Sequence, residues 1–180
     1  PAPARGISLT QKTALNDILL ASGLDIHAIN TVRRLFSRLK GGRLARLAAP
    51  ARITQFLLSD VPGDVPESIA SGPAVADPVS LDDALTIIRS QNLDQLDFVM
   101  PHIDAISAGH VAGPVRPGDP VLERVTTRIL ASNRQCQHAA ASYIRSVLIE
   151  LDYIDAPNLD GEAAEMARHL AKLIIEKHKQ

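Results

Sequence analysis

The sequence predicts an α/β fold: a Rossmann-like layered domain with a mostly parallel sheet. Toward the carboxyl end, strand-like residues 126–131 precede a helical pattern that begins at Asn133, and strand-like residues 153–156 precede a helix that Asp160 would cap. Earlier in the chain, residues 53–60 are apolar and rich in strand-forming side chains. Strands that alternate with helices pair in parallel through right-handed crossovers.

A capping box predicts the first helix. Ser8 and Gln11 have the spacing at which each side chain can bond the other's backbone, and apolar residues follow at helical intervals. Gly23 is a suitable stop, so we expect this helix over residues 8–22.

Two further helices are expected before the first strand. The second begins at Asp25, and apolar residues recur every three or four positions toward Gly41 and Gly42, which end it. The third is short, covers residues 43–48, and is closed by Pro50.

The apolar segment 53–60, bounded by prolines, is typical of a buried strand in a parallel sheet. Residues 61–80 are rich in Pro, Gly, Ser and Asp, which predicts a long irregular loop. Ser80 then caps a helix that runs through Ile88. Residues 91–119 give no clear pattern and are expected to form an extended excursion.

Composition limits the function classes. The net charge is −1 and aromatic residues make up 3%, which argues against nucleic-acid binding, because nucleic-acid readers carry basic patches and stacking rings. No apolar run approaches the roughly 20 residues of a membrane helix. Cys136 is the single cysteine, which predicts a reducing, cytoplasmic setting.

The ends of the sequence predict a fragment. The chain begins with Pro1-Ala2-Pro3, without a methionine, and closes directly after a helical pattern. Its 180 residues suit one domain, or one domain plus part of another. We therefore expect an incomplete α/β domain of a larger protein.

A run of basic residues is the first candidate site. Six cations and no acid fall within fourteen residues: Arg33, Arg34, Arg38, Lys40, Arg43 and Arg46. Cations beside a glycine pair and the start of a helix suit a clamp for a carboxylate or phosphate. The alternative is a solvated basic surface, which charge runs more often form.

Residues near strand ends are the second set of candidates. Asp60 ends the strand-like segment 53–60, where ligands of open α/β sheets bind, and can hold a metal or act on a substrate hydroxyl. Asp64 follows across a turn, Ser71 lies in a turn that can touch phosphate, and Asn133 follows the later strand. Each has an ordinary alternative, since these residue types also form turns and helix caps.

The sequence contains neither the G-x-G-x-x-G pattern nor a P-loop, the two common nucleotide-binding fingerprints. Its six histidines have no metal-ligand spacing with one another or with Cys136.

Five segments occur in a specific order and spacing: 20–23 (LASG), 29–34 (INTVRR), 37–45 (SRLKGGRLA), 58–64 (LSDVPGD) and 69–73 (IASGP). Together they resemble the type II glycerate kinase family, whose members are often labelled hydroxypyruvate reductase. Beyond Pro78 the likeness weakens to topology. The family usually has His-Leu before the Ser37 position, where this chain has Leu35-Phe36.

The resemblance implies ATP-dependent transfer of a phosphoryl group to D-glycerate, giving 2-phosphoglycerate, in a cleft between two α/β domains. Residues 1–180 would be the later part of the amino-terminal domain, without the second domain, and inactive alone. The implied cofactors are ATP and Mg²⁺. The implied partner is a small-molecule substrate, with no nucleic acid or membrane, and with a homodimer as one option for assembly.

The same resemblance gives the candidate residues expected roles. Lys40 and Asp60 are the expected catalytic residues, and Asp60 is also the expected metal ligand. The residues expected to bind substrate are Asn30, Arg33, Arg43, Asp64 and Ser71, and the residue expected to bind the nucleotide is Asn133. Two other functions stay open: a nicotinamide-dependent hydroxypyruvate reductase and a non-catalytic α/β interaction module.

Overall fold

The computed structural model describes residues 2–147 and 162–178. Seven α-helices and two strands lie in that part of the chain: α1 (Leu9–Ala21), α2 (Ile26–Leu35), α3 (Arg43–Ala48), β1 (Ile53–Ser59), α4 (Leu81–Ser90), α5 (Val99–Ser107), β2 (Val125–Ser132), α6 (Asn133–Val147) and α7 (Ala163–His178). The helices and the parallel strand pair confirm the predicted α/β class.

The capping box of α1 is confirmed. Ser8 Oγ accepts a hydrogen bond from the backbone N–H of Gln11 at 3.1 Å, and Gln11 Oε1 accepts one from the N–H of Ser8 at 2.9 Å. These bonds satisfy N–H groups that have no partner inside the first helical turn. α1 ends at Ala21, close to the predicted stop at Gly23.

The prediction that α2 continues to Gly41 is wrong. Asp25 caps its start as expected, but the helix ends at Leu35. The chain leaves the helix because the backbone of Ser37 pairs with Pro3 in a β-bridge. Tertiary pairing of this kind overrides a local helical pattern.

The main core lies among α1, α2, α4 and α5. It is built from Leu15, Leu19, Ile29, Val32, Leu35, Phe36, Ala84, Ile88, Leu93, Val99 and Ile103. The ring of Phe36 meets that of Phe98 edge to face, with centroids 6.2 Å apart. This packing fixes the carboxyl end of α2, next to which the basic candidates lie.

The expectation of an extended excursion over residues 91–119 is wrong where α5 forms. Pro101 lies in the first turn of α5, where its missing N–H removes no helical bond. Val99 and Ile103 are buried on one side of this helix. The helix therefore depends on core contacts, which its short and interrupted sequence pattern does not reveal.

β1 and β2 pair in parallel, with Ser59 opposite Ser132 at their carboxyl ends. The prediction of a buried strand is wrong for one face of β1, where Phe56 and Leu58 are 60% and 71% exposed. No other described element of the unit that contains β1 covers that face. The two buried residues at the strand ends are the serines themselves.

The chain divides into two compact units, with the division along the sequence between Asn133 and Arg134. The first contains α1 to α5 and both strands, and the second contains α7 and all but the first residue of α6. The predicted strand at 153–156 and the predicted cap Asp160 lie outside the described residues. Among the helices that are described, none has both the length and the apolar character to cross a membrane.

Candidate functional site

Four of the predicted site residues meet near the end of α2. The Lys40 ammonium donates a hydrogen bond to Ser71 Oγ at 2.9 Å, and Ser71 Oγ donates one to Asn30 Oδ1 at 3.2 Å. The Arg33 guanidinium donates to the same Asn30 oxygen at 3.4 Å. These four residues and Lys12, described below, are called the α2 cluster.

Backbone contacts hold the turn after α2 against the loop 69–73. The N–H of Gly41 donates to the carbonyl of Ser71 at 3.1 Å, and the N–H of Gly42 donates to the carbonyl of Gly72 at 2.8 Å. Lys40 directly precedes this glycine pair, so the two bonds bring its side chain within reach of the Ser71 hydroxyl.

Gly42 is required by this close approach. Its φ of 75° lies in the left-handed region, and a Cβ there would lie 2.5 Å from Val115 Cβ and 2.9 Å from the Val75 carbonyl oxygen. Only glycine avoids both the conformational strain and the overlap.

The loop opposite Lys40 is strained. Ala70, Ser71 and Gly72 have φ values of 52°, 61° and 55°, so three consecutive residues adopt the left-handed conformation. For the two non-glycine residues this conformation costs roughly 1–2 kcal/mol each. Ser71 is also buried. Strain of this kind persists where surrounding contacts fix it, and it concentrates at functional sites.

Burial and neighbouring cations lower the pKa of Lys40. Its pKa falls from 10.5 to about 8, chiefly because its ammonium is removed from water, with further lowering by Arg33, Lys12 and Arg34. Lys40 therefore loses its proton more readily than an ordinary lysine, and an anion bound there would favour its charged form.

Lys12 is a fifth member of the cluster, which the sequence analysis missed. It is 4% exposed, and its ammonium donates one hydrogen bond, to the carbonyl of Ala2 at 3.2 Å. Burial lowers the pKa of Lys12, and the charges of Arg33 and Arg43 lower it further. Within the described residues no carboxylate forms an ion pair with Lys12, Arg33 or Lys40.

Arg34 has a different role from its neighbour Arg33. Its Nε lies 2.9 Å from Asp77 Oδ2, in an ion pair with both side chains buried, and its Nη2 donates to Thr31 Oγ1 at 3.2 Å. The N–H of Asp77 in turn donates to the Val115 carbonyl at 2.8 Å. Arg34 thus joins α2 to the segment that packs on Gly42.

The expectation that Arg43 binds substrate is not supported by its surroundings. Its guanidinium donates to the carbonyls of Arg34, Leu35, Ser37 and Ala112, which leaves no guanidinium nitrogen without a backbone partner. Its pKa is lowered to about 10, first by burial, then by Arg46, with Asp77 opposing and Arg116 adding to the decrease. Arg43 caps the carboxyl end of α2.

Asp60 and Asn133 occupy the same edge of the sheet. Each directly follows a strand, and the register places the preceding residues, Ser59 and Ser132, opposite each other. Asp60 and Asn133 are exposed, which agrees with a position at the carboxyl ends of parallel strands, where ligands bind. Asp64 adopts a left-handed φ of 53° in the turn that follows β1.

The loop after β1 runs from Asp60 to the α2 cluster. Val65, Glu67 and Ser68 line a cavity of about 200 Å³ together with Asn30, and the loop then reaches Ser71. Asp60 and Asp64 are therefore on the same loop as Ser71. Neither carboxylate forms an ion pair within the part of the chain that the structure describes.

The sheet edge offers oxygen ligands of the kind that Mg²⁺ takes. Across residues 2–147 and 162–178, no group of three or more His, Cys, Asp or Glu residues could hold a metal. Mg²⁺ commonly uses only one or two carboxylates, with water and substrate phosphates completing its shell. The carboxylate of Asp60 and the amide oxygen of Asn133 fit that smaller donor set.

Comparison with known proteins identifies relatives for this arrangement. The family described as "Domain of unknown function (DUF4147)" matches residues 1–104. An Agrobacterium vitis protein named "Putative hydroxypyruvate reductase" is 39% identical over 178 residues, which is 97% of this chain and 38% of the relative. The "Glycerate 2-kinase" of Pyrococcus horikoshii is 34% identical over 176 residues, 97% of this chain and 39% of the relative.

A solved structure agrees with these relatives. The crystal structure of a glycerate kinase from Thermotoga maritima superposes with a TM-score of 0.65 at 30% identity, over 81% of this chain and 32% of that chain. The resemblance predicted from the five segments is thus confirmed. The chain spans about two fifths of the length of the curated relatives that it matches from end to end.

Proposed function

The chain belongs to the DUF4147 family, and from that premise we propose that it is part of an ATP-dependent glycerate 2-kinase, which phosphorylates D-glycerate to 2-phosphoglycerate. Glycerate kinases among its relatives support the substrate class. Because the chain matches about two fifths of such a relative, we propose that the complete enzyme needs further residues for turnover.

One observation carries the proposal: three cations stand close together without a carboxylate partner among the described residues. Lys12 and Arg33 both act on the charge of Lys40, and Lys12 is almost completely buried. Buried charges in proteins are nearly always paired. A carboxylate or phosphate bound at the α2 cluster supplies the negative charge that these cations favour, and glycerate and its phosphorylated product carry such groups.

The proposed roles follow from the contacts. Arg33 and Lys40 hold the glycerate carboxylate or the transferred phosphate, while Ser71 and Asn30 fix the direction of the two cationic side chains. Asp60 accepts the proton of the 2-hydroxyl or orients that hydroxyl toward the phosphoryl donor. ATP, when bound, would supply the phosphoryl group, and Mg²⁺ would neutralise its charge.

Asp60 and Asn133 are the residues that would hold the metal and the nucleotide. Their place at the carboxyl ends of neighbouring strands supports this assignment. The single cysteine, Cys136, suits a reducing compartment, and the proposal therefore locates the enzyme in the cytoplasm. Assembly as a homodimer stays a prediction.

A second function has a specific observation in its favour. The Agrobacterium vitis relative is named as a hydroxypyruvate reductase, and the second function that we consider for this chain is a nicotinamide-dependent reductase of that kind. The same cations would bind the carboxylate of that substrate. The two functions differ in cofactor, so an activity measurement separates them.

The test supplies the full-length protein with either ATP, Mg²⁺ and D-glycerate, or NADH and hydroxypyruvate. We expect ADP formation in the first mixture and no NADH oxidation in the second, with ³¹P NMR locating the new phosphate on the 2-hydroxyl. Lys40→Met should abolish most of the activity, whereas Arg89→Gln, on the exposed end of α4, should retain it. NADH oxidation without ADP formation would establish the reductase. The absence of both activities would favour an interaction module.

A further inference from the structure

Apart from Arg34, which pairs with Asp77, the basic residues predicted as one site divide into two groups. Arg33 and Lys40 belong to the α2 cluster, whereas Arg38, Arg43 and Arg46 line a separate cavity of about 830 Å³. Residues from segments 3–5, 37–38, 43–47 and 109–112 form its walls, and we call it the arginine cavity. It shares no lining residue with the smaller cavity beside Asn30.

The lining of the arginine cavity is basic and contains no Asp or Glu. Arg43 is bound to backbone carbonyls, and Arg46 pairs with Asp119 at 2.8 Å, so these two have partners within the protein. Arg5 and Arg38 are exposed, and their guanidinium groups make no hydrogen bond or ion pair to any residue that the structure describes. A concave surface with one sign of charge concentrates its potential.

The two free arginines stand on a rim that backbone contacts make rigid. Ser37 pairs with Pro3, the N–H of Ala4 donates to the Phe36 carbonyl at 3.1 Å, and the N–H of Arg38 donates to the Ala2 carbonyl at 3.0 Å. This pairing joins the segment that carries Arg5 to the segment that carries Arg38.

The opposite wall is held by the two partnered arginines. Arg43 Nε donates to the Ala112 carbonyl at 3.0 Å, and Arg46 Nη1 donates to the Gly113 carbonyl at 3.0 Å. The cavity is therefore formed before any ligand arrives, which lowers the ordering cost of binding. Leu47, which is 54% exposed, and Val111 give it an apolar surface beside the charges.

We propose that the arginine cavity binds an organic phosphate, with phosphate oxygens on Arg5 and Arg38 and the organic part against Leu47 and Val111. Guanidinium groups bind phosphate through pairs of parallel hydrogen bonds. The volume is in the range of about 300–1,000 Å³ typical of small-molecule sites, so an inorganic anion alone would leave the apolar wall unused. This inference does not rest on the kinase assignment, because it uses other residues.

The test measures binding to the full-length protein by calorimetry with three probes: inorganic phosphate, ADP and a hexose 6-phosphate. Arg5→Gln combined with Arg38→Gln should weaken binding of the organic phosphate by roughly tenfold or more, since both guanidinium groups that would bind the phosphate oxygens are lost. Arg5→Lys combined with Arg38→Lys keeps the charge but loses the paired hydrogen bonds of the guanidinium groups. This variant should weaken the binding by less. Arg89→Gln is the matched control and should bind as the parent does.

The outcomes separate the two sites. The arginine cavity is supported if the Arg5 and Arg38 variants weaken binding of an organic probe and still do so in the Lys40→Met background. The probe whose binding is weakened shows whether the ligand is a nucleotide or a sugar phosphate. The proposal would be overturned if the parent and the double glutamine variant bind the organic phosphate equally well. It would also be overturned if Lys40→Met is the only variant that weakens this binding. Inorganic phosphate binding as tightly as both organic probes would also overturn it, because the apolar wall would then have no role.

Discussion

Replacing Lys12 with methionine tests whether the α2 cluster is built for an anion. Lys12 is 4% exposed, and its ammonium has one hydrogen-bond acceptor among the described residues, the Ala2 carbonyl, for three N–H donors. Each unmatched buried donor costs about 1–3 kcal/mol, whereas the bond that methionine loses contributes about 1.5–3 kcal/mol. Methionine fills a similar volume, removes two unmatched donors that together cost about 2–6 kcal/mol, and loses one bond, so Lys12→Met should raise the free energy of unfolding by roughly 2 kcal/mol.

The same substitution should reduce the stabilisation that an anion provides. We expect a saturating carboxylate or phosphate substrate to raise the melting temperature of the parent, because a ligand that binds only the folded state stabilises it. Lys12→Met should start from a higher melting temperature and gain less from the ligand than the parent does, because Arg33 and Lys40 remain. Urea unfolding and thermal scans of the full-length protein measure both quantities. A loss of more than about 2 kcal/mol on Lys12→Met would show that Lys12 is already neutralised within the protein, and the reasoning would fail.

Three further predictions concern single residues. Asp60→Asn should lower turnover of the full-length enzyme by at least about 100-fold in a coupled ADP assay, because an amide cannot accept the hydroxyl proton. The pKa of Lys40 is about 8 in the folded state and 10.5 ordinarily. The folded protein therefore binds fewer protons than the unfolded chain between those values, so its unfolding free energy should rise from pH 8 to 10.5, and Lys40→Met should remove that rise. Gly42→Ala should lower the unfolding free energy by about 2–5 kcal/mol, through left-handed strain and overlap with Val115.

Each of these has a control within the chain. Asp94→Asn, an exposed acid on another segment, should leave turnover unchanged, and an equal loss in both variants would remove Asp60 from the mechanism. Gly118 has a φ of 84° with nothing near its missing Cβ, so Gly118→Ala isolates the conformational strain. Equal destabilisation at Gly42 and Gly118 would show that Val115 does not restrict that turn. A pH slope that survives in Lys40→Met would assign the slope to another group.

Local signals in the sequence were sufficient where an element depends on its own residues. The caps at Ser8, Asp25 and Ser80 predict the starts of three helices within one residue. The predicted end of α2 was wrong because the backbone of Ser37 forms a β-bridge with Pro3, far away in sequence, and the helix ends at Leu35. α5 was missed because its helical conformation depends on burial in the core. Its nine residues, with a proline among them, are too few to show a helical pattern in the sequence.

The candidate site shows the same division. Asn30, Arg33, Lys40 and Ser71 come together as the motif spacing suggests, although their roles stay predictions. Lys12 was missed because a lysine in an amphipathic helix is normally solvent-facing. The available signal was its spacing of three and seven from Leu15 and Leu19, which places it on the buried face.

Arg43 was predicted from its neighbours in sequence, but its partners are chosen by three-dimensional position. A guanidinium has five N–H donors, and carbonyls at and just after the end of α2 accept hydrogen bonds from it. Charge patterning alone cannot distinguish such a structural arginine from one that faces a ligand.

The exposed face of the two-stranded sheet has a practical consequence for anyone who produces this segment. Phe56, Leu58 and Leu130 are each more than half exposed, and each of the two strands has one edge without a partner strand in the described residues. Such edges recruit strands from other molecules and lead to precipitation. We expect residues 1–180 expressed alone to self-associate as concentration rises, so light scattering should accompany every binding titration made with the isolated segment.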